Sequence, residues 1–278
     1  MTAAIAINRL TKTYGRAVAV RQLSLDVPFE TIFALIGSNG AGKSTTLRCI
    51  VGLSTPTSGR ILINNETLTP KTFERLAYVP DVPACYGWLT VRDHLDMTRG
   101  QFKAYDHGRA AALLDRFQLS PTKKVRALSK GQQTALSLVL AFCVRPSIIV
   151  LDEPMSGLDP GSQRHALDLM VAAAADGAAV LVSSHHVGQM ERVAENVAIL
   201  HSGLIVESGR VEDLLASHKI VEAIRGGEAE EAIRRVYTNG EDVHALRSQL
   251  EADGASIRIL DVTLEDIYLH AVASDLSG

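Results

Sequence analysis

Short runs of apolar residues recur along the chain between segments with helical punctuation. Residues 31–36, 148–151 and 179–183 are largely apolar, and each lies between loop or helix signals. That alternation predicts an α/β domain built on a parallel sheet. Ile148-Ile149-Val150-Leu151 is apolar at every position, which fits a central strand covered on both faces better than an edge strand. Residues 76–80 add another strand. The helix signals agree with this layout. Residues 43–51 predict a helix closed by Gly52 just past its end. Thr90-Val91-Arg92-Asp93 reads as a capping box, and Asp159-Pro160 places an N-cap before a proline at the first helical position, opening a helix that runs to Gly177. Residues 134–144 predict a helix apolar nearly all round, hence buried, whose polar start is the informative end.

Near Glu212 the pattern changes to a shorter βα-like tail, with loops at GGE (226–228) and TNGED (238–242) and a closing TLEDIYLH (263–270). A boundary is expected near 216, giving a domain over 1–215 and a small α/β extension over 216–278. The 278 residues accommodate this arrangement. Hydrophobic residues make up 46% and 28 basic residues stand against 31 acidic ones, a balance unlike a disordered chain or a strongly basic nucleic-acid binder. The longest nearly apolar stretch, 135–144, is about half of the ~20 residues needed to cross a bilayer. The first ten residues alternate apolar and polar, unlike a signal peptide, so the chain is expected to remain in the cytosol. Cys49, Cys85 and Cys143 lack the short spacing of a zinc or disulfide framework and read as reduced, mostly buried thiols.

Two segments carry chemistry. After the apolar run at 31–36 comes Gly37-Ser38-Asn39-Gly40-Ala41-Gly42-Lys43-Ser44, which fits G-x-x-x-x-G-K-[ST] in the required strand-to-helix context. Its glycines let backbone N–H groups curl around phosphate oxygens, the following helix adds its dipole, Lys43 neutralises β/γ charge, and Ser44 can ligate Mg²⁺. Thr45 continues this phosphate-binding segment into the helix. The apolar strand 148–151 delivers Asp152 to the carboxyl end of the sheet, where ligands of open parallel sheets collect. Asp152 is expected to hold Mg²⁺, directly or through water, and Glu153 to orient or deprotonate an attacking water. The bland reading of two adjacent carboxylates is a solvated turn.

The order of these parts, with LSKGQQ at 128–133 and SGLD at 156–159, resembles the nucleotide-binding domain of the ATP-binding cassette (ABC) family over roughly residues 3–215. The resemblance implies a P-loop NTPase with a parallel-sheet core and a helical subdomain carrying the signature motif. It implies ATP with Mg²⁺, and a signature helix N-terminus at Ser129, Gly131 and Gln132 that faces the γ-phosphate held by a second cassette. Taken alone, Ser129 and Gly131 are a routine helix cap. Lys130 stands where the signature usually has glycine, as in the exporter branch; it either contacts phosphate or is solvated. Asp81 occupies the place of the family's glutamine, with a water-bridged Mg²⁺ contact and a plain loop aspartate as its two readings. His185, adjoined by His186, corresponds to the switch histidine that hydrogen-bonds the γ-phosphate, and Tyr14 to the aromatic that stacks on adenine.

The function implied by the resemblance is that of the ATPase subunit of a membrane transporter. One cassette without a membrane span needs a second copy of itself and separate integral membrane permease subunits, with the chain peripheral on the cytoplasmic face through the permease. TLEDIYLH is similar to the closing helix of cassettes that serve exporters. The alternative is a soluble ABC ATPase acting in translation or DNA maintenance, whose second cassette or long coiled coil is not seen here; a GTPase or small-molecule kinase does not explain LSKGQQ. The family's permease-docking groove maps to residues 81–97, where Val82, Pro83, Tyr86, Leu89 and the single tryptophan, Trp88, cluster. The same residues can instead cover a small helical core.

Overall fold

The computed structural model describes residues 3–225, 231–238 and 255–275. The chain opens with a long hairpin, β1 (Ala3–Tyr14) and β2 (Ala17–Pro28). Next come β3 (Ile32–Ile36), α1 (Lys43–Ile50), β4 (Ser58–Ile63), a short α2 (Pro70–Phe73) and β5 (Leu76–Val79). Three helices follow, α3 (Val91–Gln101), α4 (His107–Arg116) and α5 (Lys130–Phe142). The chain then returns through β6 (Ile148–Asp152), α6 (Pro160–Ala175), β7 (Ala179–Ser184), α7 (Val187–Glu191), β8 (Asn196–His201) and β9 (Leu204–Arg210). The central sheet has the order β5-β6-β7-β3-β8-β9. Its first five strands run parallel and β9 pairs antiparallel with β8 at the edge.

Every residue of β3, β6 and β7 is buried, so their continuous apolar runs reflect cover on both faces. Ala34 and Ile36 pack into the core under α3 to α6, whereas Phe33 and Leu35 turn to the core under α1 and the three-stranded sheet β2-β1-β4. That antiparallel sheet is absent from the expectations, because register shifts interrupt its pairing and Arg9 and Gln22 lie in the left-handed region at φ 49° and 44°. Such bulges break the two-residue alternation that identifies a strand.

The helix caps follow the local chemistry. Thr90 Oγ1 accepts from Asp93 N–H at 3.1 Å while Asp93 Oδ2 accepts from Thr90 N–H at 2.7 Å. Asp159 Oδ1 accepts from Ser162 N–H at 3.0 Å ahead of α6. The expectation for 134–144 needs correction: α5 begins at Lys130, four residues earlier, because Ser129 and Gln132 form a reciprocal capping box that apolar periodicity does not register.

The boundary placed near 216 falls inside α8 (Val211–Ser217). Beyond it, β10 (His218–Arg225) pairs antiparallel with both β11 (Glu231–Thr238) and β12 (Ala255–Asp261), and a C-terminal helix (Leu264–Asp275) follows. GGE and residues 239–242 of the second loop lie outside the described residues. Ile220, Val262, Leu264 and Ile267 are buried in the same core cluster as the helices above the central sheet. Leu264 N–H donates to Glu191 Oε2 at 2.6 Å, tying the closing helix to α7. All three cysteines are free thiols; Cys49 and Cys143 are buried and Cys85 half-buried.

Candidate functional site

The loop between β3 and α1 is shaped by backbone contacts that exclude side chains. A Cβ on Gly37 would lie 2.3 Å from the Leu200 carbonyl oxygen, and one on Gly42, whose φ is +107°, 2.5 Å from that of Ala19. Only glycine meets both demands without moving the backbone. Ser38, Asn39 and Gly40 are exposed on the loop, Ala41 is buried beneath it, and Ser44 and Thr45 are half-buried in the first turn of α1. The unpaired N–H groups and positive dipole end of that turn form a cradle for an anion.

Lys43 is only 5% exposed. Its Nζ donates to the carbonyls of Gly37 at 2.8 Å and Ser38 at 3.2 Å. It also lies 3.2 Å from Glu153 Oε1, an ion pair without hydrogen-bond geometry.

Cross-strand register assembles the rest. Ile36 pairs with Ser184, and Asp152 with Ser183, so the phosphate loop, Glu153 and His185 emerge side by side from β3, β6 and β7. Asp152 Oδ1 accepts from Ser183 Oγ at 2.7 Å and from Ser44 Oγ at 3.0 Å. Burial pushes the Asp152 carboxyl above the usual carboxylate range; the two serine hydrogen bonds oppose the shift, and the charges of Asp81 and Glu153 add to it. Its Oδ2 is buried with no hydrogen-bond partner among the described residues. No cluster of three or more His, Cys, Asp or Glu side chains suited to a metal occurs among the described residues. A divalent ion here would therefore use the oxygens of Ser44 and Asp152 and complete its shell with phosphate and water, the coordination that suits Mg²⁺. The donor set and the orphaned Oδ2 fit such an ion.

Glu153 adopts φ 49°, a left-handed conformation held by its N–H, which donates to Ser183 Oγ at 3.1 Å. The turn aims the carboxylate at two groups, since Oε2 accepts from His185 Nδ1 at 2.8 Å while Oε1 faces Lys43. That hydrogen bond puts the proton on Nδ1 and leaves Nε2 available. His186 has a different part: its N–H donates to Ser184 Oγ at 3.0 Å and its ring centroid lies 4.0 Å from that of His185. Ser183, which anchors both Asp152 and Glu153, escaped the sequence reading; the only signal was the paired serine at the end of an apolar strand.

Other candidate residues lie apart from this cluster. Tyr14 is half exposed at the β1–β2 turn, its hydroxyl 3.4 Å from Ser54 Oγ, with Lys12 Nζ 4.9 Å from the ring centroid. Ser129, Gly131 and Gln132 line a cleft of about 420 Å³ together with Gly157, Asp159 and Arg116, and no residue of the phosphate loop lines it. Gly131 is fixed there by contact, because a Cβ would meet the Gly157 carbonyl oxygen at 2.2 Å. On the segment after β5, Val82, Tyr86 and Trp88 are 72%, 47% and 67% exposed, and the Tyr86 and Trp88 rings lie 5.0 Å apart. Tyr86 N–H donates to Nε2 of buried His94 at 3.0 Å, holding this segment against α3.

Residues 20–156 match the family profile described as ABC transporter. The chain is 34% identical over 218 residues to the uncharacterized ABC transporter ATP-binding protein YhaQ of Bacillus subtilis, covering 77% of this chain and 73% of that one. It is 30% identical over 225 residues to the Nod factor export ATP-binding protein I of Cupriavidus pinatubonensis, covering 78% and 69%. A solved ATP-binding subunit of an ABC transporter superposes with a TM-score of 0.70 at 32% identity, covering 76% of this chain and 91% of that one.

Proposed function

Because the chain belongs to the ABC transporter family, whose ATP-binding cassettes hydrolyse ATP to drive transport, we propose that it powers an export complex as a dimer on separate integral membrane permease subunits. The observation that carries the reading is the single cluster in which Lys43, Glu153 and His185 interact beside the Ser44–Asp152 pair. Export rests on the closing TLEDIYLH and on likeness to a relative named for export. No described helix is long and apolar enough to cross a membrane, so the membrane path is assigned to partners and the chain to their cytoplasmic face. Residues 216–278 act in this reading as an extension appended to the cassette over 1–215.

In the proposed mechanism Tyr14 stacks on adenine, and residues 37–45 wrap the phosphates. Lys43 turns its ammonium from the loop carbonyls and Glu153 toward the β/γ oxygens. Ser44 and Asp152 would hold Mg²⁺, with Asp81 as a further candidate near Asp152, and the ion would supply neutralisation of phosphate charge. Drawing Lys43 away frees Glu153 Oε1 to take a proton from the attacking water, while His185 Nδ1–H steadies Oε2. Charge stabilisation at the far side falls to Ser129, Gly131 and Gln132 of the second copy, because a helix N-terminus acts only on an anion that it faces. The separation of the signature cleft from the phosphate loop within one chain supports this division.

Mixed dimers test it. Ser129→Arg and Glu153→Gln homodimers carry a defect in every composite site, whereas the isolated heterodimer contains one site with both parts intact. Hydrolysis well above that of either parent is expected. Equal, background turnover in all three would refute sharing of the site between copies.

A further inference from the structure

We propose that the pocket between α4, the end of α5 and the amino ends of β6 and β7 binds a small monocarboxylate with an apolar body, received by Arg109. The pocket encloses about 380 Å³, within the usual ~300–1,000 Å³ of small-molecule sites. Ser147 and Ala178, which precede β6 and β7, line it, so it lies at the opposite end of those strands from Asp152 and Glu153. Phe142, Ile149 and Ala173 supply apolar wall.

The charges at its mouth are unevenly partnered. Arg145 is engaged by Asp106, whose Oδ2 accepts from Nε at 3.2 Å and Nη2 at 2.9 Å, while Oδ1 caps α4 by accepting from Arg109 N–H at 2.9 Å. Both carboxylate oxygens of Asp106 are thereby occupied. Arg109 is held less firmly: its Nε is buried without a hydrogen bond among the described residues and is closed to the pocket, and Asp176 Oδ2 lies 3.9 Å from Nη1, an ion pair longer than a hydrogen bond. A planar carboxylate can meet the outer guanidinium edge, Nη1 and Nη2, with two parallel hydrogen bonds. The two arginines and two aspartates cancel in charge. A monoanion thus gains Arg109 with only Asp176 opposing it, whereas a phosphate dianion would carry a second charge toward Asp176 with no cation left to balance it.

The test uses the full chain, labelled with ¹⁵N and titrated separately with phenylacetate, phenylacetamide and phenyl phosphate while backbone amide resonances are followed. Phenylacetate should give saturable shifts at Ser147, Gly177 and Ala178, with a dissociation constant about tenfold or more below that of the neutral amide. Arg109→Gln should weaken phenylacetate by about tenfold, with circular dichroism reporting the folded fraction. Asp176→Asn removes an exposed opposing charge and should tighten phenylacetate severalfold, which keeps the proposal testable even if Arg109→Gln does not fold. Equal affinity for acid and amide, preference for phenyl phosphate, undiminished binding by folded Arg109→Gln, or unchanged or weaker binding by Asp176→Asn would each overturn it. Absence of saturable shifts at the three pocket positions would do the same.

Discussion

Replacing Glu153 by glutamine removes a charge while nearly preserving a shape, so its effects can be separated. The carboxylate lies 3.2 Å from Lys43 Nζ, and the two side chains are 12% and 5% exposed. At an effective dielectric of about 20, the gross attraction at that distance is roughly 5 kcal/mol. Desolvation of both ions offsets most of it. Lys43 also keeps the Gly37 and Ser38 carbonyls in the variant, so the net loss of nucleotide-free stability should be about 1–3 kcal/mol, less than for a fully stranded buried charge. For a chain of this size that is a fall of roughly 2–4 °C in Tm per kcal/mol, readable by calorimetry. With ATP bound, phosphate oxygens replace the missing carboxylate beside Lys43, so the difference in Tm should shrink and ATP affinity should hold or rise. Turnover should drop by roughly 10²–10⁴, the usual contribution of a positioned general base, leaving an ATP-dependent dimer on size-exclusion chromatography. Single-turnover phosphate release measures the chemical step. Hydrolysis within about tenfold of the parent, or weaker ATP binding, would refute the assignment of Glu153 and its competition with phosphate for Lys43.

Three further outcomes rest on the geometry. Gly131→Ala places a Cβ 2.2 Å from the Gly157 carbonyl oxygen, and the forced separation of α5 from the 156–159 loop should cost about 1–3 kcal/mol; a melting temperature equal to that of the parent would contradict the contact. Burial pushes the Cys143 thiol up to about 12, so thiolate is scarce at pH 8 and alkylation by iodoacetamide should become fast only on unfolding. Since the folded value is the raised one, the associated stability is intact below the ordinary thiol range and declines as pH rises toward 12; fast native-state labelling of Cys143 would refute its burial. Tyr86→Ala and Trp88→Ala should uncouple permease-dependent transport while sparing basal hydrolysis and Tm, because the exposed pair carries little folding energy; joint loss of hydrolysis and stability would return these residues to the core.

What was legible in the sequence is what the chain writes locally. The phosphate loop, the strand ending in Asp152, and the caps at Thr90 and Asp159 are each specified within a few consecutive residues, and the fully buried strands announce themselves by composition alone. Ser183 was illegible because its importance arises from pairing opposite Asp152, thirty-one positions away. Gly131 was named by its motif, but its close approach to the Gly157 carbonyl arises only from the packing of the helix start against a distant loop. The hairpin β1–β2 failed for a different reason: its bulges at Arg9 and Gln22 shift the register, and a one-residue slip reverses which side chains face the core. Periodicity is therefore informative only within an uninterrupted ladder. Glu153 joins the two regimes. Its place after an apolar strand marks it locally, but its left-handed backbone is held by Ser183 on the neighbouring strand. The carboxylate is thus named by its own segment and aimed by another, which is why the sequence identifies the residue while its contacts with Lys43 and His185 require the sheet.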